Sequence, residues 1–235
     1  MRRALGSLVA AAVTAAAVAV APAPASAAVP PSPKFESSAR FGIWSNGGFF
    51  VYNNEWNSSA GPQTIWANSF SNWGVESTQA AGNTAVETYP NVQRNFSNVP
   101  VSKLAVLRNG YRESMPSRAS LDAEAADDIW LNKYKLEVMI WVDNHGQRPA
   151  GNIVGQATIL GQHFSVWSGG TTWTFLLDHK QASGQTHMLG ALRWLIARHD
   201  IPASVTLAQV GFGWEIASTG GLPLDFTVSS YWLNS

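Results

Sequence analysis

Short apolar or alternating runs recur along the chain, separated by clusters of Gly, Asn, Ser and Pro. Phe49-Phe50-Val51-Tyr52, Thr64-Ile65-Trp66-Ala67, Val101 to Val106, Lys135 to Val142, Gln162 to Trp167, Thr172 to Leu177, Leu207 to Phe212 and Leu224 to Leu233 read as strands. Turn clusters fall between them, among them Asn46-Gly47-Gly48, Ser58 to Pro62, Ser168-Gly169-Gly170 and Thr219-Gly220-Gly221. Many short strands punctuated in this way predict an antiparallel sandwich or barrel. One segment departs from the pattern. Thr186 to Arg198 sets Leu189, Leu192 and Ile196 at spacings of 3 and 4 and is closed by Pro202. It predicts one amphipathic helix packed outside the sheets. The fold class is all-β, two antiparallel sheets with a single helix, and no internal repeat or Ser/Thr/Pro linker marks a second module.

Side chains of a strand alternate between its faces. In Tyr134 to Val142, residues Leu136, Val138, Ile140 and Val142 share an apolar face, and Glu137 lies opposite with Met139 and Trp141. In Val210 to Ala217, residues Phe212, Trp214 and Ile216 share one face, and Glu215 lies opposite with Gly211, Gly213 and Ala217. Each Glu therefore projects away from a core face, among neighbours unlike the Lys, Thr and Ser of a solvated sheet. The small residues around Glu215 leave room for a bulky ligand, and an aromatic side chain offers a flat surface to a sugar ring. If Asn132-Lys133 is a two-residue hairpin turn, Asp128 stands directly opposite Glu137 on the same face. Two opposed carboxyls cannot both ionise cheaply, so one pKa rises or they share a proton.

Composition narrows the partners. The 235 residues hold 15 Lys+Arg against 15 Asp+Glu, no Cys and 11 Trp. The start has the order of an export signal: Arg2-Arg3, an apolar run from Ala4 to Val20, and Ala25-Ser26-Ala27 as a cleavage site. Removing residues 1–27 leaves 208, with 13 basic and 15 acidic side chains. Residues 28–34 read as an extended leader containing Val29 to Pro33, and residues 35–235 as one domain. A charge near zero without a basic cluster speaks against a nucleic-acid partner. No later apolar stretch approaches the ~20 residues of a membrane span. Without Cys there is no disulfide and no thiolate site, and the five His lack metal-ligand spacing, so neither metal nor cofactor is expected.

Six stretches together resemble glycoside hydrolase family 12, secreted endo-acting β-1,4-glucanases with a β-jelly-roll fold. They are Asn53 to Asn57, Val86 to Asn91, Asp128-Ile129-Trp130, Glu137 to Trp141, Pro149-Ala150-Gly151 and Phe212 to Ile216. They occur in the family's order and span almost all of the chain after the signal. The resemblance implies a substrate cleft on the concave face, Glu137 as nucleophile, Glu215 as general acid/base and Asp128 as the acid that hydrogen-bonds the nucleophile. It implies sugar contacts for Trp44, Asn54, Trp56 and Met139, and a loop at Pro149 and Gly151 beside the cleft. Trp141 and Trp167 are expected to add stacking surfaces. The sequence departs from the family's pattern at Asp127, where Tyr is common, at Asn57, where Gly often follows the Trp, and in having no amino-terminal disulfide.

The implied activity is retaining hydrolysis of internal β-1,4-glucosidic bonds in cellulose, mixed-linkage glucan or xyloglucan, with the two carboxyls ~5–5.5 Å apart. The partner is then a polysaccharide, and the chain is expected to be a secreted monomer. Two other readings compete. A β-1,4-xylanase of the related jelly-roll family would carry Glu-Tyr-Tyr where this chain has Glu137-Val138-Met139. A non-catalytic carbohydrate-binding protein would display strand aromatics without needing two Glu on one cleft.

Overall fold

The computed structural model describes residues 32–235, so the export signal and residues 28–31 of the leader lie outside the described residues. Two sheets form a sandwich. The smaller has six strands in the order β1 (Phe35–Ser37), β4 (Gln63–Ser69), β5 (Asn72–Ser77), β15 (Leu224–Asn234), β7 (Arg108–Ser114) and β13 (Ser183–Thr186). The larger has nine, in the order β10 (Asn152–Ile159), β11 (Gln162–Gly169), β12 (Thr172–Leu177), β9 (Leu136–His145), β8 (Asp122–Leu131), β14 (Thr206–Ser218), β6 (Asn91–Pro100), β3 (Phe49–Tyr52) and β2 (Ile43–Asn46). The single helix, α1 (Met188–Ala197), contributes Met188, Leu189, Ala191, Leu192 and Leu195 to the core. The all-β jelly-roll architecture expected from the sequence is the one found.

The alternation of each strand explains the layers. Val138, Ile140 and Val142 of β9 and Phe212, Trp214 and Ile216 of β14 are buried in the space between the sheets. There Trp214 meets Trp73 at 5.0 Å and Phe226 at 5.6 Å between ring centroids, and Phe212 stacks on Tyr231 at 5.6 Å. Offset and tilted ring pairs of this kind add ~0.5–1.5 kcal/mol each beyond the area they bury. The opposite face of β8, β9 and β14 is thereby left free to build a site.

Three expectations change. Val101 to Val106 is not a strand: Pro100 ends β6, and Val101–Lys103 form a 3-10 turn closed by the Leu104 amide on the Val101 carbonyl. One ladder is parallel, not antiparallel, joining β12 to β9. The turn between β8 and β9 is longer than two residues. Leu131 pairs with Leu136, and Asn132, Lys133 and Tyr134 all take left-handed φ of 50°, 56° and 66°. Side-chain oxygens hold that turn, Asn132 Oδ1 accepting from the Thr206 amide and Asn98 Oδ1 from the Lys133 amide. The register therefore sets Asp128 opposite Met139 and Trp130 opposite Glu137. A slip of two residues preserves the face, so Asp128 and Glu137 still share it, as diagonal neighbours.

Asp127 turns the other way, into the core. It is fully buried, and accepts hydrogen bonds from Asn109 Nδ2 and Thr186 Oγ1. Desolvation outweighs these two bonds and lifts its pKa to about 7. Because the folded value exceeds the unfolded one of ~3.9, its contribution to stability is present at acid pH and is lost as pH rises toward 7. The Tm of Asp127→Asn relative to wild type should accordingly rise by a few °C between pH 5 and pH 8, read by calorimetry at both values. A constant offset would contradict this sign.

Candidate active site

Three adjacent strands supply the carboxyls. β9 carries Glu137, β8 carries Asp128, and β14 carries Glu215. All three open into one cavity of about 450 Å³, whose other walls are Asn54, Trp56, Tyr89, Asn91, Gln93, Trp130 and Gln209. The ladder offsets the pair along β8, since Glu137 faces Trp130 and Glu215 faces Glu124, yet both reach the same groove.

Each carboxyl has its own surroundings. Glu137 Oε2 accepts 2.7 Å from Thr172 Oγ1, a neighbour supplied by the parallel β12 ladder, which also fixes the Glu137 amide on the Thr171 carbonyl. Asp128 Oδ2 accepts 2.8 Å from the indole Nε1 of Trp130, while its Oδ1 is buried with no N–H donor. Burial first, then the Glu137 charge, pushes Asp128 well above the usual carboxylate range, so it keeps a proton that can join it to Glu137. Glu215 is raised to about 7, again by burial first and by Glu137 second. Among the described residues, no Lys, Arg or His forms an ion pair with any of these acids. The arrangement supports one charged carboxylate beside neutral acids, the division that acid-assisted displacement requires.

The expected sugar-contact residues separate into groups. Asn54 and Trp56 line the cavity, and Trp56 is 52% exposed. The Asn54 amide donates to the Tyr89 carbonyl at 3.2 Å, so part of its capacity is spent on holding the wall. Met139, Trp141 and Trp167 share the sheet face of Glu137, through the pairs Thr174–Met139, Leu176–Trp141 and Trp167–Thr174. Met139 and Trp141 are closed off in a small cluster with Ala126 and Leu176, forming floor, not exposed stacking surface. Trp167 is half-buried beneath the Arg148 guanidinium, 5.0 Å from its ring centroid. Pro149 is buried and Gly151 exposed in the loop after β9; Gly151 has φ +79°, and a Cβ there would stand 1.8 Å from the Ser168 carbonyl oxygen. Gln147 of that loop donates to the Glu215 carbonyl at 3.3 Å, which ties the loop to the acid's strand.

Trp44 is a correction. It pairs with Val51, a fully buried core residue, and stacks on Phe35 with an interplanar angle of 5°. It faces the space between the sheets and not the cleft, because its strand position has the parity of the core residues. The small residues near Glu215 are a second correction. A Cβ on Gly213 would stand 2.0 Å from the Pro90 carbonyl, and one on Gly211 would be 3.4 Å from the Tyr89 hydroxyl. Gly213 makes room for the chain's own Pro90-Asn91 and not for ligand, whereas a Cβ on Gly211 would meet Tyr89 only at ordinary contact distance. Sequence reasoning missed Thr172, Tyr89, Gln93, Gln209, Gln147 and Glu124. Tyr89 lay in the family-like stretch Val86 to Asn91 without an assigned role, and Glu124 was marked by its even spacing from Asp128 on β8.

A jelly roll that gathers a carboxyl pair in one groove beside the exposed indole of Trp56 and the half-buried one of Trp130 has the site of a glycoside hydrolase. Comparison places it further: the glycosyl hydrolase family 12 profile matches residues 47–230, and the chain belongs to that family. It is 24% identical over 204 residues, covering 79% of this chain and 84% of the relative, to the xyloglucan-specific endo-β-1,4-glucanase A of Aspergillus aculeatus. It superposes with a TM-score of 0.80 on the xyloglucanase domain of NopAA from Sinorhizobium fredii, solved with cellobiose, at 23% identity over 87% of this chain and 100% of that one. The family 12 xyloglucanase of Bacillus licheniformis gives a TM-score of 0.74 at 20% identity, over 85% of this chain and 99% of that one.

The hydroxyl of Thr172 tests the site's geometry. Thr172→Val keeps the strand's shape and removes the donor to Glu137. Turnover of a glycoside should fall about tenfold with folding unchanged, the scale of one charge-assisted hydrogen bond. Unchanged turnover would show that the contact does no positioning.

Proposed function

We infer that the protein is an endo-acting, retaining β-1,4-glucan hydrolase. The single observation that carries this is the opening of Glu137, Asp128 and Glu215 into one groove walled by Trp56 and Trp130. Glu137 attacks the anomeric carbon, its oxygen forming an ester as the glycosidic C–O bond breaks. Glu215 gives its proton to the departing oxygen and then takes one from the water that cleaves the ester. Asp128, protonated and oriented by Trp130, donates to Glu137 and holds its carboxyl in place. The groove's length across adjacent strands suits a polymer, and the relative from Aspergillus aculeatus supports a glucan as that polymer.

Residues 1–27 support export, with the mature chain beginning at Ala28 and acting outside the cell as a monomer. Amino-terminal sequencing of secreted protein is the check.

Glu137→Gln and Glu215→Gln should each lower kcat on soluble β-glucan by several orders of magnitude while leaving the fold intact by circular dichroism. New reducing ends should appear first as the β anomer in proton NMR. An α-first product, or near-native activity of either variant, contradicts the assignment. The proton on Glu215 is present below its pKa of about 7 and lost above it, so kcat/KM should decline as pH rises through about 7. A panel of xyloglucan, mixed-linkage glucan, carboxymethylcellulose and xylan identifies the preferred polymer, with xylan expected to be the poorest. Retention in a glucan gel with no release of reducing ends would favour the binding-protein reading instead.

A further inference from the structure

Glu124 is a buried acid that the displacement above leaves unused. It lies on β8 four residues before Asp128, so it shares the cleft face. Its cross-strand partner on β14 is Glu215 itself, and on the other side β9 presents Asn144. Glu124 has no exposed surface, and neither of its oxygens meets an N–H or hydroxyl donor. The Asn144 amide nitrogen is committed to the Gln147 carbonyl at 2.7 Å and gives it nothing. Residues opposed in an antiparallel ladder stand with Cβ atoms ~4.5–5.5 Å apart. Two carboxylates so placed, away from water, would repel strongly, whereas a proton between them forms a hydrogen bond.

We propose that Glu124 is a positioning residue for the acid/base: it stays protonated through the cycle and donates its O–H to a carboxyl oxygen of Glu215. The inference rests on Glu215 being the acid/base. The bond holds Glu215 toward the groove, and it strengthens when Glu215 becomes a carboxylate, because the acceptor is then charged. Glu124 itself gives up no proton.

The groups that act on Glu124 are all acidic: Glu215 from β14, Asp128 along β8, Glu137 from β9, and the neutral phenol Tyr89, whose hydroxyl donates to the Ala126 carbonyl. The basic side chains at this end, His145 and Lys180, lie 4.0 and 3.8 Å from Asp143, which pairs with the core residue Ala125. Burial first, then Glu215, raises Glu124 well above the usual carboxylate range, and its hydrogen bond draws Glu215 downward.

Two variants separate the donor from the packing. Glu124→Gln keeps an N–H donor and cannot ionise; Glu124→Met is of similar length and has no donor. The alkaline limb of kcat/KM should stay in place for Glu124→Gln and move up by about one pH unit for Glu124→Met. For Glu124→Met, kcat should fall about tenfold with KM little changed, and the loss should shrink on a dinitrophenyl cellooligosaccharide, whose leaving group needs no proton. An unmoved limb in Glu124→Met overturns the proposal, as a proton given to Asn144 instead would produce. A limb lowered in Glu124→Gln overturns it too, because Glu124 would then have been charged. Equal losses in both variants would leave Glu124 a packing residue only. Should Glu124→Met not fold, carbon-13 titration of the wild-type carboxyls decides: a Glu124 resonance still protonated at pH 8 supports the proposal, and one ionising below pH 6 refutes it. Glu215→Gln is the separate control, since its retained activity would sink the acid/base assignment itself and not this refinement of it.

Discussion

Four carboxyl groups on three neighbouring strands share one sheet face without an ion-paired cation among the described residues, and the rest of the site follows from how that charge is limited. Ionising all of Glu124, Asp128, Glu137 and Glu215 in this setting would cost several kcal/mol for each buried charge. The cost falls if most of them hold protons. Burial raises Glu124, Asp128 and Glu215, and each raised neighbour can serve as a donor to the next. One negative charge at the anomeric position with neutral acids around it is the pattern that glycosyl transfer to a carboxylate uses.

Such a cluster strains any fold, and the sandwich offsets it on its other face. The same strands that carry the acids bury Val138, Ile140, Phe212, Trp214 and Ile216 against Trp73, Phe226 and Tyr231. A period of two keeps the functions apart: around Glu137 and Glu215, even positions of β9 and β14 serve the core and odd positions the cleft. The division also explains why the β8–β9 register is held by side-chain bonds from Asn98 and Asn132. A slip of one residue would send Glu137 into the core and Val138 into the groove.

The strand pattern exposed much of this in advance. Alternation alone placed Glu137 and Glu215 off the core face, and the helix at Met188–Ala197 was readable from its 3-and-4 spacing. Parity could have warned against Trp44, whose place on its strand is set by pairing with Val51, but no single sequence fixes which strand β2 will join. The Gly near Glu215 were open to two explanations, room for ligand or for the chain itself, and only the close approach of Pro90 decides. Thr172 lay beyond reach for a different reason. It meets Glu137 through a parallel ladder, and neither alternation nor turn length predicts such a partner 35 residues away. Glu124 had only its even spacing from Asp128 to mark it, since a strand rich in Ala and Asp advertises no face.

The covalent step tests the account most directly. A 2-deoxy-2-fluoro cellooligosaccharyl fluoride slows the second displacement, so a retaining enzyme accumulates the ester, with fluoride released. Intact-mass spectrometry should show one glycosyl adduct on the wild-type chain, and peptide mapping should place it on Glu137. No adduct at full turnover of natural substrate, or an adduct on any other carboxylate, would contradict the assignment of Glu137 as the attacking group.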